Sequence, residues 1–233
     1  MRGSGTPRAR LGAPAPLAAA TLGPILAALA LGAAAAARAG EESPLSPQLD
    51  IVVLAREVLA VSPGGGNPLG ERLERGERVL YAKQRGRVGV AVTDRRLLAV
   101  TASSGSWQQA RYRSGEAPPA DVALGDRVAL VVTPLRAIGF DGKTGNLVEA
   151  SLGPQERVLD SAVGQNVAAL VSDRRALGVS AQHGGFFETR MRLGEAIVAL
   201  RAQADTVTLQ TSARLLVFDG PSGSWEERRL PIR

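Results

Sequence analysis

The sequence predicts an all-β fold: a five-bladed β-propeller of four-stranded antiparallel blades, preceded by an N-terminal signal or hydrophobic helix. Three observations predict it. One template returns five times; aligned on Glu57, Arg96, Arg136, Arg175 and Arg214, the copies stand 39, 40, 39 and 39 residues apart. A fixed period of this size marks a repeat architecture. Within each copy the apolar residues follow the alternation of strands broken by short turns. After residue 40, no segment holds a 3.6-residue apolar period over ten or more residues, so helix is essentially absent there.

The first forty residues stand apart. Met1 to Pro16 carries Arg2, Arg8 and Arg10 and no acid, Leu17 to Ala36 is uncharged Ala, Leu, Gly and Ile with one Pro, and Ala37-Arg38-Ala39 follows. A basic segment, an apolar segment and a small-residue cleavage site describe a secretory signal peptide, expected over residues 1–39. The alternative is an uncleaved membrane anchor, since twenty apolar residues are about enough to span a bilayer. Either reading exports the remainder to the periplasm or beyond. Arg2, Arg8, Arg10 and Arg38 account for most of the formal charge of +6, and without them it falls to +2. The basic balance is therefore a property of the leader and no nucleic-acid footprint. The absence of Cys excludes a disulfide scaffold and Cys-ligated metals.

Each recurring position has its own physical reason. Four residues after the anchor stands an apolar residue, Val61, Val100, Phe140, Val179 or Phe218; nine after it stands Gly66, Gly105, Gly145, Gly184 or Gly223. A hairpin turn that needs a positive φ uses Gly, which has no Cβ to clash. A bulky apolar residue follows, Leu69, Trp107, Leu147, Phe186 or Trp225, and twenty or so after the anchor comes an acid, Glu77, Glu116, Glu156 or Glu195. This phasing divides residues 40–233 into units 40–76, 77–115, 116–155, 156–194 and 195–233, with a unit boundary expected at the last residue. In the second unit the strands read Glu77 to Ala82, Arg87 to Val92, Arg96 to Val100 and Trp107 to Arg113, although Leu80 breaks the alternation of the first. One such sheet cannot bury both faces. Stacked on its siblings it can, and the divergent first unit is the expected soft point of the ring.

The hairpin Gly139-Phe140-Asp141-Gly142-Lys143-Thr144-Gly145-Asn146-Leu147 resembles the PQQ-like repeat family of propellers, whose blades carry an Ala-x-Asp-x-x-Thr-Gly-x-x-x-Trp signature. Phe218-Asp219-Gly220-Pro221-Ser222-Gly223-Ser224-Trp225 is similar to it as well. Val100 to Trp107 keeps Ser104, Gly105 and Trp107 but has Ala102 where Asp is expected; Val179 to Phe186 keeps Gly184 and the aromatic. The resemblance implies a propeller and carries over no cofactor, because the vicinal Cys pair and acidic metal site of the quinoprotein dehydrogenases have no counterpart here. Its non-catalytic relatives act as envelope scaffolds that dock partners.

No catalytic constellation stands out, and no catalytic, cofactor-binding or metal residue is assigned. Glu77, Glu116, Glu156 and Glu195 read first as strand-start residues paired with nearby Arg and only second as an acidic ring, because structural residues repeat and catalytic ones do not. Arg96, Arg136, Arg175 and Arg214 read as solvated strand ends or ion-pair partners before anion ligands. His183 is the one His, expected in an exposed turn, and a lone His without Cys makes no usual zinc site. Trp107 and Trp225 read as blade packing. A glycoside hydrolase with a central site would draw a carboxylate pair about 5–9.5 Å apart from Asp50, Asp121, Asp126, Asp160 and Asp205. A lectin-like propeller would repeat one loop residue type, yet Ser103, Lys143, His183 and Ser222 differ in kind. The sequence therefore points to an exported, non-enzymatic, cofactor-free module that binds an envelope or secreted protein.

Overall fold

The structure is a computed structural model, and it describes residues 49–62 and 66–229. The expected leader, residues 1–39, lies outside the described residues. Among those described, no helix is long and apolar enough to cross a membrane.

The described chain is all β, an array of five antiparallel propeller blades in chain order. The first blade holds β1 (Asp50–Val53), β2 (Glu57–Val61) and β3 (Leu69–Arg72). The second holds β4 (Val79–Arg85), β5 (Val88–Thr93), β6 (Arg96–Thr101) and β7 (Gln108–Arg111). The third holds β8 (Val122–Leu124), β9 (Val128–Val132), β10 (Arg136–Asp141) and β11 (Asn146–Ser151). The fourth holds β12 (Val158–Val163), β13 (Val167–Ser172), β14 (Arg175–Ser180) and β15 (His183–Arg190), and the fifth β16 (Ile197–Ala202), β17 (Thr206–Thr211), β18 (Arg214–Asp219) and β19 (Ser224–Arg229). Four blades are four-stranded meanders. The first shows three strands among the described residues; by the repeat they match the second to fourth strands of a blade, and the matching first-strand positions, 40–46, fall outside. The three-residue β8 has a local cause as well. Pro118 and Pro119 precede it, and proline cannot donate to a strand ladder.

The meander gives every blade two distinct ends. One carries the turns between first and second strands and between third and fourth. The other carries the turns between second and third strands and the links between blades. At the first end the repeated Gly behaves in two ways. Gly145 and Gly223 sit at φ of 77° and 64°, in turns built by Asp141 and Asp219. The Asp141 carboxylate accepts hydrogen bonds from the Lys143 and Thr144 amides at 2.7 and 3.2 Å and from the Thr144 hydroxyl at 2.6 Å, which is why Asp, Thr and Gly keep their spacing. Gly105 and Gly184 do not adopt a positive φ, contrary to the expectation from the repeat. Their turns have Thr101, not the Ala102 expected from the sequence, and Ser180 where that Asp stands, and Gly184 lies inside β15.

Between blades the core is a series of sandwiches. Val88, Val90 and Val92 of β5 pack on Ala129, Val131, Ile138 and Phe140 of the third blade. The equivalent Val128, Leu130 and Val132 face Leu177 and Val179 of the fourth, and Val167 and Ala169 face Val207 and Phe218 of the fifth. The central strands β5, β6, β10 and β13 are consequently buried along their whole length, on both faces. Gly178 makes room for this packing, since a Cβ there would lie 2.7 Å from the Phe218 ring. The fifth blade is different. Its forward positions are Thr206, Thr208 and Gln210, and burial in β17 alternates, with Val207, Leu209 and Thr211 buried and their neighbours not. The first blade alternates too, with Val58 and Ala60 buried in β2. Among the described residues, each end blade therefore buries one face, against its neighbour in sequence.

Candidate functional site

At the link end of the blades, the recurring Glu and the recurring Arg are two halves of one device. In the third blade the Glu116 carboxylate accepts from Arg136 Nε and Nη2, both at 2.9 Å, and from the Arg113 amide at 2.7 Å. Thr133 donates its hydroxyl to the same carboxylate. The remaining guanidinium donors reach Glu149 of β11 at 2.6 Å and, across the blade boundary, the carbonyl of Arg111 in β7 at 2.6 Å. The second blade repeats this with Arg96, Glu77, Thr93, Gln109 and the Arg72 carbonyl. The fourth uses Arg175, Glu156, Ser172, Glu188 and the Ser151 carbonyl; the fifth uses Arg214, Glu195, Thr211, Glu227 and the Arg190 carbonyl. We term this unit the clasp. In the first blade Glu57 stands at the Arg position.

The clasp explains further sequence features. The residue before each Glu takes a left-handed backbone, Gly76, Gly115 and Gly194 at φ of 78°, 78° and 75°, and Gln155 at 63°. That geometry folds the link so that the Glu carboxylate meets the amide three residues back. Of the two expectations for the Arg, solvated strand end or ion-pair partner, the structure shows the second, and buried: Arg136 is 4% and Glu116 0% exposed at the side chain. Burial alone pushes the carboxyls up, but the hydrogen bonds outweigh it. Burial works against Glu156 most, yet Arg175, the Gly153 amide and Ser172 hold it down at about 2. Glu195 is likewise held at about 2 by Arg214, Thr211 and the Arg192 amide against its own desolvation. Carboxylates so saturated are poor proton donors and poor ligands for anything else. The clasp is structural.

Between exposed charged residues such as Arg78 and Arg157, the clasp end also offers a partner apolar side chains. The register slips once in each of β4, β12 and β16, leaving Leu80, Leu159 and Val198 as the unpaired extra residues. A β-bulge re-aims its side chain, and these three stand 50%, 52% and 60% exposed. Leu135, Leu193 and the run Val52 to Leu54 are also exposed at this same end. Among the described residues, the exposed large apolar side chains thus gather at one end of the blades. A shallow cleft of about 550 Å³ opens at this end beside Val158, lined also by Ala117 to Ala120, Thr133, Pro134, Leu152 and Glu156.

No family model matches the chain, and no curated protein matches it either. Solved structures similar to it include human WBSCR16, with a TM-score of 0.40 and 14% identity over 76% of this chain and 61% of that one. Prp20p from Saccharomyces cerevisiae, described with its binding to Gsp1p and histones, gives 0.38 and 9% over 74% and 56%. AztD from Citrobacter koseri gives 0.37 and 11% over 78% and 60%. The chain spans about three fifths or less of the length of these proteins. The fold assignment stands on the sheet topology and the blade packing.

The other singled-out residues fall mostly at blade boundaries. Trp107 donates its indole N–H to the Leu69 carbonyl and Trp225 to that of Phe187, each at 2.9 Å, pinning a blade to the one before it. His183 is not in an exposed turn. It opens β15 half-buried, with Nε2 2.7 Å from the Pro221 carbonyl of the fifth blade and its ring edge-on to Phe187. Asp121 is bonded by Lys83 and Asp126 by Arg85, Asp50 accepts from Gln84, and Asp205 accepts from Asn166. These four carboxylates tie neighbouring blades together. Among the described residues, no group of three or more His, Asp or Glu is placed to hold a metal ion. The bulge residues are what the sequence reading missed, and the broken alternation at Leu80 was their one trace.

Proposed function

We propose that this chain is an exported, non-enzymatic propeller that holds a protein partner on the clasp end of its blades. The observation that carries the proposal is the repeated bulge: Leu80, Leu159 and Val198 occupy one position in three blades and present large apolar surface that the fold itself does not use. Large apolar side chains left exposed at one repeated position are a signature of an interaction surface. The clasps beneath hold the backbone of that surface rigid, so a partner meets a preorganised face. Export rests on the leader composition of residues 1–39, and kinship with the PQQ-like repeat propellers on the Asp-built turns at Asp141 and Asp219.

The test is the triple variant Leu80→Ser, Leu159→Ser, Val198→Ser in the full chain, used with the parent as bait in envelope extract. The variant is expected to unfold at the parent's midpoint and to lose a protein that the parent retains, by ten-fold or more. A partner retained equally by both places the interface elsewhere, and a parent that retains no protein removes the scaffold reading.

A further inference from the structure

The opposite end of the blades carries a different chemistry. Nine residues before each anchor Arg stands one turn position, Arg87, Arg127, Asn166 and Asp205. Its backbone does the same thing in neighbouring blades. The amides of Arg87, Arg127 and Asn166 donate across the blade boundary to Asp126, Gln165 and Ala204 at 2.8, 2.9 and 2.8 Å. Their carbonyls accept from Ala102, Gly142 and Ala181 at 2.9, 2.8 and 2.8 Å. Structure fixes the main chain here and leaves the side chain to vary.

Between the fourth and fifth blades that variation gives a self-contained pair, Asn166 donating to Asp205 at 2.8 Å. Between the second and third blades both equivalent residues are arginines. Lys143 joins them, and a cleft of about 250 Å³ is lined by Arg87, Ser103, Arg127, Gly142 and Lys143. Among the described residues no carboxylate lines it. The nearby acids are engaged elsewhere, Asp126 by Arg85 and Asp141 by the amides and hydroxyl of its own turn. Arg87 Nε is buried without a hydrogen-bond partner among the described residues. Three like charges converging on one cleft oppose folding unless something negative is bound there.

We propose that this cleft binds a phosphoryl group, as inorganic phosphate or a small phosphate monoester. Two guanidinium forks and an ammonium suit a tetrahedral dianion, whereas one fork already saturates a carboxylate. The volume lies below the roughly 300 Å³ at which pockets for drug-sized ligands begin, so the group bound there is small. This site is independent of the apolar surface at the clasp end.

The experiment is calorimetric titration of the purified full chain with inorganic phosphate, against acetate at matched ionic strength. Phosphate is expected to bind and acetate not. Arg127→Gln and Lys143→Gln, both at exposed side chains, are each expected to weaken phosphate at least ten-fold, while Lys83→Gln, outside the cleft, leaves it unchanged. Absence of phosphate binding, equal binding of acetate, or full binding by Arg127→Gln and Lys143→Gln would each overturn the proposal. Co-sedimentation with phosphatidylcholine vesicles containing phosphatidic acid, lost in Lys143→Gln, would assign the phosphoryl group to a lipid. Phosphate binding without sedimentation assigns it to a soluble ligand.

Discussion

The two ends of the blades are made by the same four strands and differ in almost every other respect. At the clasp end the polar chemistry repeats: the same Glu, Arg and hydroxyl residue return in four blades, inward and satisfied, while Leu80, Leu159 and Val198 stand outward among exposed charges. At the opposite end one turn position repeats its main-chain bonds and not its side chain, so Arg87, Arg127, Asn166 and Asp205 occupy it with three kinds of charge. Where side chains recur they hold the blades together. Where they diverge over a constant backbone, they carry no common structural duty, and Asn166 and Asp205 simply satisfy each other.

The sharpest way to break this contrast is to remove one clasp. Arg136→Met leaves Glu116 buried without its cation, and losing one partner of a buried pair costs about 3–5 kcal/mol. Removing Arg78, whose pairing with Asp94 at 3.9 Å is solvent-exposed, is expected to change stability by less than about 1 kcal/mol. Urea denaturation of both variants measures the difference. The double variant Arg136→Met, Glu116→Gln is expected to recover part of the loss.

Acid probes all four clasps together. Glu77, Glu116, Glu156 and Glu195 are held below the ordinary carboxylate value of 4.5 in the folded chain, the last two at about 2. A depressed folded pKa contributes stability that is complete above the unfolded value and lost as pH falls through the folded one. The urea midpoint is therefore expected to drop steadily from about pH 4.5 towards pH 2. Glu156→Gln, less stable at neutral pH, is expected to lose less over that window than the parent does.

A small effect of the opposite sign should come from Gln155, which takes the φ that Gly takes in the other blades. A non-Gly residue in the left-handed region costs about 1–3 kcal/mol, part of which Gly returns through the entropy of the unfolded chain. Gln155→Gly is expected to raise stability by about 1 kcal/mol, measured by the same denaturation.

The blades were legible in the sequence because a period of 39 or 40 residues survives any substitution that keeps strands and turns in place. Glu116 and Arg136 were both visible as recurring positions. Their union was not, because it depends on the link and the second turn meeting at one end of a blade. Leu159 was hidden for another reason: alternation shows that a strand is irregular but not which residue is extruded. The cleft of Arg87, Arg127 and Lys143 brings together three residues from two successive units, and no reading along a single unit joins them.

The direction of the clasp also bears on how the chain assembles during synthesis. Each Arg grips a carbonyl in the previous blade and a Glu that precedes it by 19 or 20 residues, so both partners have already left the ribosome when it emerges. Each new blade can then be latched onto a finished one without waiting for the C-terminal half of the protein. A nascent chain built this way completes its contacts blade by blade, in the order of synthesis.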